Sequence, residues 1–270
     1  MSASFHDVVR RVGEVPGVAA VLACEQVDST NDALRRRADA GAIPAGTVLL
    51  ADTQTAGRGR LGRHWHSPRG LGLYLSWLVR PRGDVAWFPR WTLLGAVAAG
   101  AACRDVAGAV VRLKWPNDVV ARGRKLGGVL ADLRTSAGGP ELILGIGLNV
   151  EHREDDLPPE LRSRATSLSI LSGTIMDRAD LAASVVQGLV TLGDRLERGD
   201  WDGLRERWTA LAPGATSGRV RVLDRQGDRG AWTGTAAGLD ERGALRVRRD
   251  RDGREVAVLD GESVVPLVER

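Results

Sequence analysis

Residues 55–65 read Thr-Ala-Gly-Arg-Gly-Arg-Leu-Gly-Arg-His-Trp and lie between two apolar, strand-like runs. Gly57, Gly59 and Gly62 allow backbone N–H groups to turn toward an anion and let it approach closely. Arg58, Arg60 and Arg63 add planar, permanently charged donors suited to carboxylate and phosphate oxygens. A Walker A loop would end in Gly-Lys-Ser/Thr, and a dinucleotide fingerprint would lead into a helix; this segment does neither. A solvated Arg-Gly nucleic-acid tail is the competing reading, but such tails sit in disordered segments and this one is bracketed by strands.

A second constellation is Lys114-Trp-Pro-Asn-Asp118, followed by Arg124-Lys125-Leu-Gly-Gly128. Pro116 stiffens the turn after a strand, so Asn117 and Asp118 project from a fixed strand end. Asp118 suits three tasks: binding Mg²⁺, pairing with a lysine, or acting as a base. A plain β-turn is an equal alternative on these residues alone. A third is Gly145-Ile-Gly-Leu-Asn149-Val150, whose glycines allow a ligand to lie against the strand while Asn149 offers a donor and an acceptor. Ser29-Thr30-Asn31 either caps a helix or holds a small polar ligand at a helix N-terminus. Gln54, beside the Gly-Arg loop, suits an amide or ureido group.

Composition sharpens these candidates. Of 38 basic residues only Lys114 and Lys125 are lysines, and Asn31, Asn117 and Asn149 are the only asparagines. Arginine replaces lysine freely on a solvated surface, but not where a compact, rotatable ammonium is needed. The five survivors all fall in or beside the motifs above, which marks them for specific chemistry.

The elements that must carry these groups follow from periodicity. A short helix is expected at 5–12, a strand at 18–24, a helix from the Asp-Ser-Thr-Asn-Asp cluster to about residue 40, and a strand at 47–51. Residues 55–69 form a loop, and the alternation of Leu71, Leu73, Leu75, Trp77 and Val79 marks a strand with one buried face. A helix at 87–106 crosses the sheet, and strands follow at 110–113, 128–133 and 141–150. Residues 151–164 are irregular, and helices return at 179–196 and 201–211. Beyond residue 213, five short strands at regular spacing suggest a small β-barrel. The fold expected is α+β: a mixed β-sheet domain with flanking helices over 1–213, and a small β domain over 214–270.

At 270 residues with 43% hydrophobic and 27% charged content, the chain has material for a core and a solvated surface. No apolar run reaches the roughly 20 residues a membrane helix requires. Charged residues between His6 and Glu14 break up any signal-peptide apolar region, so a cytoplasmic location is expected. Cys24 and Cys103 read as buried reduced thiols; His64 and His66 lack a third metal ligand. Trp87, Trp91, Trp201 and Trp208 read as packing residues. The net charge of +4 permits an anionic partner without requiring one.

Taken in order, Ser-Thr-Asn, Gln-Thr-Ala-Gly-Arg-Gly-Arg-x-Gly-Arg-x-Trp, Lys-Trp-Pro-Asn-Asp, Arg-Lys-Leu-Gly-Gly and Gly-x-Gly-x-Asn-Val resemble the biotin protein ligases from about Val27 to Val150. The resemblance implies a sheet domain like that of class II aminoacyl-tRNA synthetases with an SH3-like β-barrel behind it. It implies ATP and biotin as substrates, Mg²⁺, a biotinoyl-5′-AMP intermediate, and transfer of biotin to a lysine of the biotin carboxyl carrier domain of a carboxylase.

Carried over by residue, Ser29, Thr30, Asn31, Gln54, Gly57, Arg58, Gly59, Arg60, Trp65 and Lys125 would hold biotin. Arg58, Arg60, Arg63, Lys114, Asn117, Lys125 and Asn149 would serve ATP. Lys125, Arg60 and Asp118 would be catalytic, with Asp118 also the candidate Mg²⁺ ligand. The Gly57–Trp65 loop is expected to open when empty and to close over biotin.

Some members of the family add an N-terminal winged helix that binds operators. Only about 26 residues precede the Ser-Thr-Asn motif here, so no specific nucleic-acid partner is expected, nor a membrane, and the chain is expected to be a monomer or weak homodimer. A lipoate or octanoate enzyme of the same fold would carry an Arg-Arg-x-x-Gly-Gly-Gly type loop, which is missing. A nucleic-acid-binding protein would interleave aromatic residues with its charges, and the C-terminal segment has only Trp232. The complete motif set argues against an inactive ligase-like protein.

Overall fold

The computed structural model describes residues 3–41, 43–136, 139–224, 227–259 and 264–267. Its main sheet has seven strands: β1 (Ala20–Val27), β2 (Thr47–Gln54), β3 (Gly72–Val79), β4 (Arg112–Lys114), β5 (Asp118–Ala121), β6 (Arg124–Ser136) and β7 (Gly139–Asn149). They run in the order β1-β2-β3-β7-β6-β5-β4. Only β1 and β2 are parallel; the other neighbours are antiparallel, so the sheet is mixed as expected.

Side chains alternate between faces along a strand, so each strand of this sheet has two tasks. On β7, Leu142, Leu144, Ile146 and Leu148 enter the main core. Helix α3 (Pro89–Ala107) covers that face, with α5 (Arg178–Glu197) packed on it. Close approach is bought with small residues: a Cβ at Gly95 would lie 3.0 Å from Val129, and one at Gly188 would lie 3.1 Å from Ala98. Burying each large aliphatic side chain of this core contributes roughly 1.5–3 kcal/mol.

The opposite face is divided. At one end Leu49, Leu78 and Ile143 form a second apolar cluster under Ala33 and Leu34 of α2 (Thr30–Ala40). Further along the same face of β7 stand Gly145, Gly147 and Asn149, where the floor is open.

Helix α1 (Phe5–Gly13) packs on α5, and α6 (Trp201–Leu211) packs on α3 and α5. The short helices α4 (Leu168–Ser172) and α7 (Gly214–Ser217) lie in connections. A second, antiparallel sheet follows, in the order β11 (Glu255–Val258), β10 (Leu245–Arg249), β9 (Gly227–Leu239), β8 (Arg219–Asp224) and β12 (Val264–Pro266). Among the described residues its edge strands β11 and β12 do not pair, so no closed barrel is formed. The two sheets meet where the buried Trp115 Nε1 donates to Gly243 O at 3.0 Å and the Arg90 guanidinium donates to Glu241 O.

Several details depart from expectation. Strand β3 is buried on both faces rather than one, because on its second face Leu78 packs in the α2 cluster, Ser76 donates to Asn31 and Tyr74 donates to Pro68 O. Strand β5 forms at Asp118–Ala121, where a turn is expected, because it pairs with β4 and β6. Strand β6 begins at Arg124, four residues before the expected start, because β5 and β7 pair with its glycines from both sides. Trp87 is 41% exposed and carries the Arg90 guanidinium on its ring at 3.7 Å, whereas Trp91, Trp201 and Trp208 are buried. Cys103 is buried, its thiol pushed up to about 12 by that burial, but Cys24 is only half-buried.

Candidate active site

A cleft of about 650 Å³ opens over the bare part of the sheet. Its walls are the 55–69 loop, the β4–β5 hairpin, the 157–165 segment and Val264–Val265 of the second sheet. Both lysines and all three asparagines of the chain line it, as do Ser29, Thr30, Gln54, Arg58, Gly59, Arg60, Arg63, Trp65 and Asp118. Of the expected site residues only Gly57 stands back from the lining. It is buried under Trp65 O, Ser67 and Gln54, where a Cβ would meet Trp65 O at 2.6 Å.

The floor is made by glycine. At Gly147 a Cβ would lie 2.6 Å from Trp65 Nε1, and at Gly145 it would collide with Asn31 Oδ1. The two glycines therefore make room for one aromatic wall and one polar brace. Trp65 is half-buried, and its Nε1 is buried with no hydrogen-bond partner. A buried indole N–H without an acceptor costs about 1–3 kcal/mol, and a ligand oxygen would satisfy it.

The 55–69 loop is a narrow flap. Arg58 and His64 bridge its legs, Trp65 N donates to Gly57 O at 2.8 Å, and Gly59 N donates to Arg63 O at 2.7 Å. At its root Gln54 Oε1 accepts from Thr30 N (2.8 Å) and Thr30 Oγ1 (3.1 Å), while Gln54 Nε2 donates to Ser67 Oγ. Ser29 caps α2, accepting from Asp32 N, so the capping alternative holds for it. Asn31 braces three elements: its Oδ1 accepts from Ser76 Oγ at 2.6 Å, and its Nδ2 donates to Leu130 O and Asp132.

Opposite the flap, the β4–β5 hairpin turns at Trp115-Pro116-Asn117. Asn117 Nδ2 donates to Val129 O at 2.8 Å, and its Oδ1 accepts from Arg60 Nη1 at 3.3 Å, tying flap to hairpin across the cleft. Lys125 Nζ lies 2.6 Å from Asp118 Oδ1 and 5.5 Å from the centre of the Trp65 ring. Asn149 is buried and donates to Thr166 O at 3.0 Å. The pairing alternative for Asp118 is thus realised. Among the described residues no group of three or more His, Cys, Asp or Glu side chains could hold a metal. Asp118 alone, already matched by Lys125, does not make a magnesium cage; the ion implied by the resemblance fits as one carried by nucleotide phosphates.

Sequence reasoning missed several residues. Asp132 accepts from Arg58 Nη2 at 2.6 Å, and Asp32 lies 2.9 Å from Arg58 Nε. Asp132 shares the strand face of Gly128 and Leu130, so strand parity could have found it. The 157–165 segment reaches the cleft by a parallel bridge to Lys125: Lys125 N donates to Arg164 O at 2.7 Å, and Thr166 N donates to Lys125 O at 2.9 Å. No local signal announces that contact.

Residues 23–149, which carry this flap and glycine floor, match the Biotin/lipoate A/B protein ligase family. The chain is 36% identical over 246 residues to the biotin--[acetyl-CoA-carboxylase] ligase of Mycobacterium tuberculosis, covering 88% of this chain and 86% of that one. It is 35% identical over 225 residues to the bifunctional ligase/repressor BirA of Bacillus spizizenii, covering 81% of this chain and 66% of the relative's length. In structure it is similar to the biotin protein ligase of Aquifex aeolicus in complex with biotin and ATP, with a TM-score of 0.77, 29% identity, and 93% and 100% of the two chains covered. The chain belongs to the biotin protein ligase family.

Proposed function

We propose that this protein activates biotin with ATP and transfers it to a lysine of a biotin carboxyl carrier domain. The observation that carries the reading is the convergence of Lys125, Asp118, Arg60 and Trp65 on one glycine-floored cleft. The Aquifex aeolicus neighbour, solved with biotin and ATP, and the Leishmania major ligase, solved with biotinyl-5-AMP, support it.

In the first half-reaction a biotin carboxylate oxygen bonds to the α-phosphorus of ATP, and the bond to pyrophosphate breaks. Two anions must meet, so preorganised positive charge is the main requirement. Lys125, Arg60 and Arg63 supply it, and Asp118 fixes where the Lys125 ammonium sits. Trp65 packs on biotin; Thr30 and Gln54 face its head group, with Ser29 and Asn31 holding the helix end. Lys114, Asn117 and Asn149 serve the nucleotide side, where a magnesium ion carried by the phosphates would neutralise part of their charge. In the second half-reaction the acceptor amine bonds to the biotinoyl carbon, AMP leaves, and the amine gives up a proton. Closure of the flap keeps water from the mixed anhydride.

The second sheet, taken from residue 214 onward as an SH3-like unit, closes the end of the cleft with Val264 and Val265. Biotin-dependent exchange of pyrophosphate into ATP, with no exchange on lipoate, tests the first step. Labelling of a purified biotinyl domain tests the second. Lipoate-dependent exchange without biotin-dependent exchange overturns the reading.

A further inference from the structure

The first arginine of the flap is tied to the body of the domain. Arg58 spends its Nε and Nη2 on two carboxylates, Asp32 and Asp132, at 2.9 and 2.6 Å. Arg35 pairs with Asp32 as well, so two guanidiniums meet two carboxylates and the Arg58 charge is balanced where it stands. Asp132 is itself fixed: its Oδ2 also accepts from Asn31 Nδ2 at 2.9 Å, and Asn31 is held by Ser76 on β3. An unbroken series of hydrogen bonds therefore runs from the sheet floor through Asn31 and Asp132 to the first arginine of the flap. Beyond Arg58 the flap carries Arg60, which reaches Asn117, and returns through His64 to Trp65. Wherever Arg58 is held, Arg60 and Trp65 follow.

We propose that Asp132, assisted by Asp32, is a positioning residue: it latches the closed flap through Arg58, biasing the empty chain toward the arrangement that sets Arg60 and Trp65 over the cleft and that substrates then complete. Arg58 is then a strut that holds the flap. The proposal rests on the ligase reading for its kinetic consequence, but not for its structural one. Preorganisation of this kind raises affinity by removing an ordering cost from the binding step.

The test is a double-mutant cycle in the full chain, with Arg58→Ala, Asp132→Ala and the pair together. Chymotryptic cleavage beside Leu61, which is 70% exposed at the flap tip, reports latch release without substrate. Arg58→Ala and the double variant should be cleaved alike, about tenfold faster than wild type, because without Arg58 the loss of Asp132 releases nothing more; Asp132→Ala, which keeps the Asp32 contact, should be cleaved several-fold faster than wild type. In biotin-dependent pyrophosphate exchange, Asp132→Ala should raise KM for biotin by a similar factor while kcat changes little, and Asp132→Glu should restore it. Asp132→Asn, the milder change, serves if Asp132→Ala does not fold. Additive effects in the cycle, or wild-type cleavage rates in the Asp132 variants, overturn the latch. A wild-type chain that exchanges no pyrophosphate overturns the ligase reading instead, and the protease comparison still decides the latch.

Discussion

Lys125 Nζ lies 2.6 Å from Asp118 Oδ1, across the antiparallel pair β5–β6 and beneath the flap. A bulge between Val119 and Val120 shifts the register there, so that Asp118 opposes Gly128 while Val120 opposes Lys125. The lysine thus leans forward along its own strand to reach the carboxylate, past the missing side chain of Gly128: a Cβ there would lie 3.4 Å from Nζ.

From that pair comes the first expectation. Lys125→Ala should lower the rate of biotin-dependent pyrophosphate exchange by about a hundred- to a thousandfold, because it removes charge aimed at the developing phosphate anion. Lys125→Arg should also fail, since a planar fork cannot occupy the place of a compact ammonium. The side chain is part-exposed, so thermal stability should change little. Near-normal exchange in either variant removes Lys125 from the chemistry.

Glycine at 147 is a second point of attack. The added methyl of Gly147→Ala would stand 2.6 Å from Trp65 Nε1 and must drive the indole off the floor. Biotin affinity should fall by about tenfold or more, as overpacking costs roughly 1–3 kcal/mol. Isothermal titration with biotin alone measures this, and wild-type affinity would show that Trp65 does not line the biotin site.

The flap should respond to ligand. Trypsin cleavage after Arg60 and Arg63 is expected to slow about tenfold or more when biotin and ATP are both present, because closure hides the backbone. Equal cleavage with and without the two substrates would mean that the flap does not move over them.

Acid should weaken the fold through His152. This imidazole is fully buried, both ring nitrogens lack partners, and burial, reinforced by neighbouring His66, pushes it down to about 4 from an ordinary value near 6.5. Between these values the unfolded chain takes up a proton that the folded chain refuses. Stability from this group is therefore complete above about pH 6.5 and falls as pH drops toward 4. Going from pH 7 to pH 5 should cost on the order of 1–2 kcal/mol. Urea unfolding at the two pH values measures it; His152→Leu should flatten that part of the slope, and an unchanged slope would assign the acid sensitivity elsewhere.

Much of this was legible beforehand, for physical reasons. The Leu71–Val79 alternation announced β3, because one face of that strand is apolar. The scarcity of lysine and asparagine marked Lys114, Lys125, Asn31, Asn117 and Asn149, and all five line the cleft. Long-range partners wrote nothing locally. Asp132 is an ordinary acidic residue until a flap 74 positions earlier in the chain folds over it. The start of β6 was hidden because Gly127 and Gly128 have low strand propensity, and only pairing with β5 and β7 extends the strand through them. Pairing of Lys125 with Ala165 joins an irregular segment to the start of β6, beyond the end of its pairing with β7, and irregular segments carry no period to read.

That both lysines open on the same hollow has a practical corollary. Apart from the α-amino group, every primary amine of this chain lines that cleft. An acylating dye, a crosslinking aldehyde or amine-coupled immobilisation should therefore strike the cleft first, and protection by biotin and ATP would turn such reagents into a titration of occupied sites. For tethering or labelling the intact enzyme, chemistry directed at carboxylates or an appended tag is the safer handle.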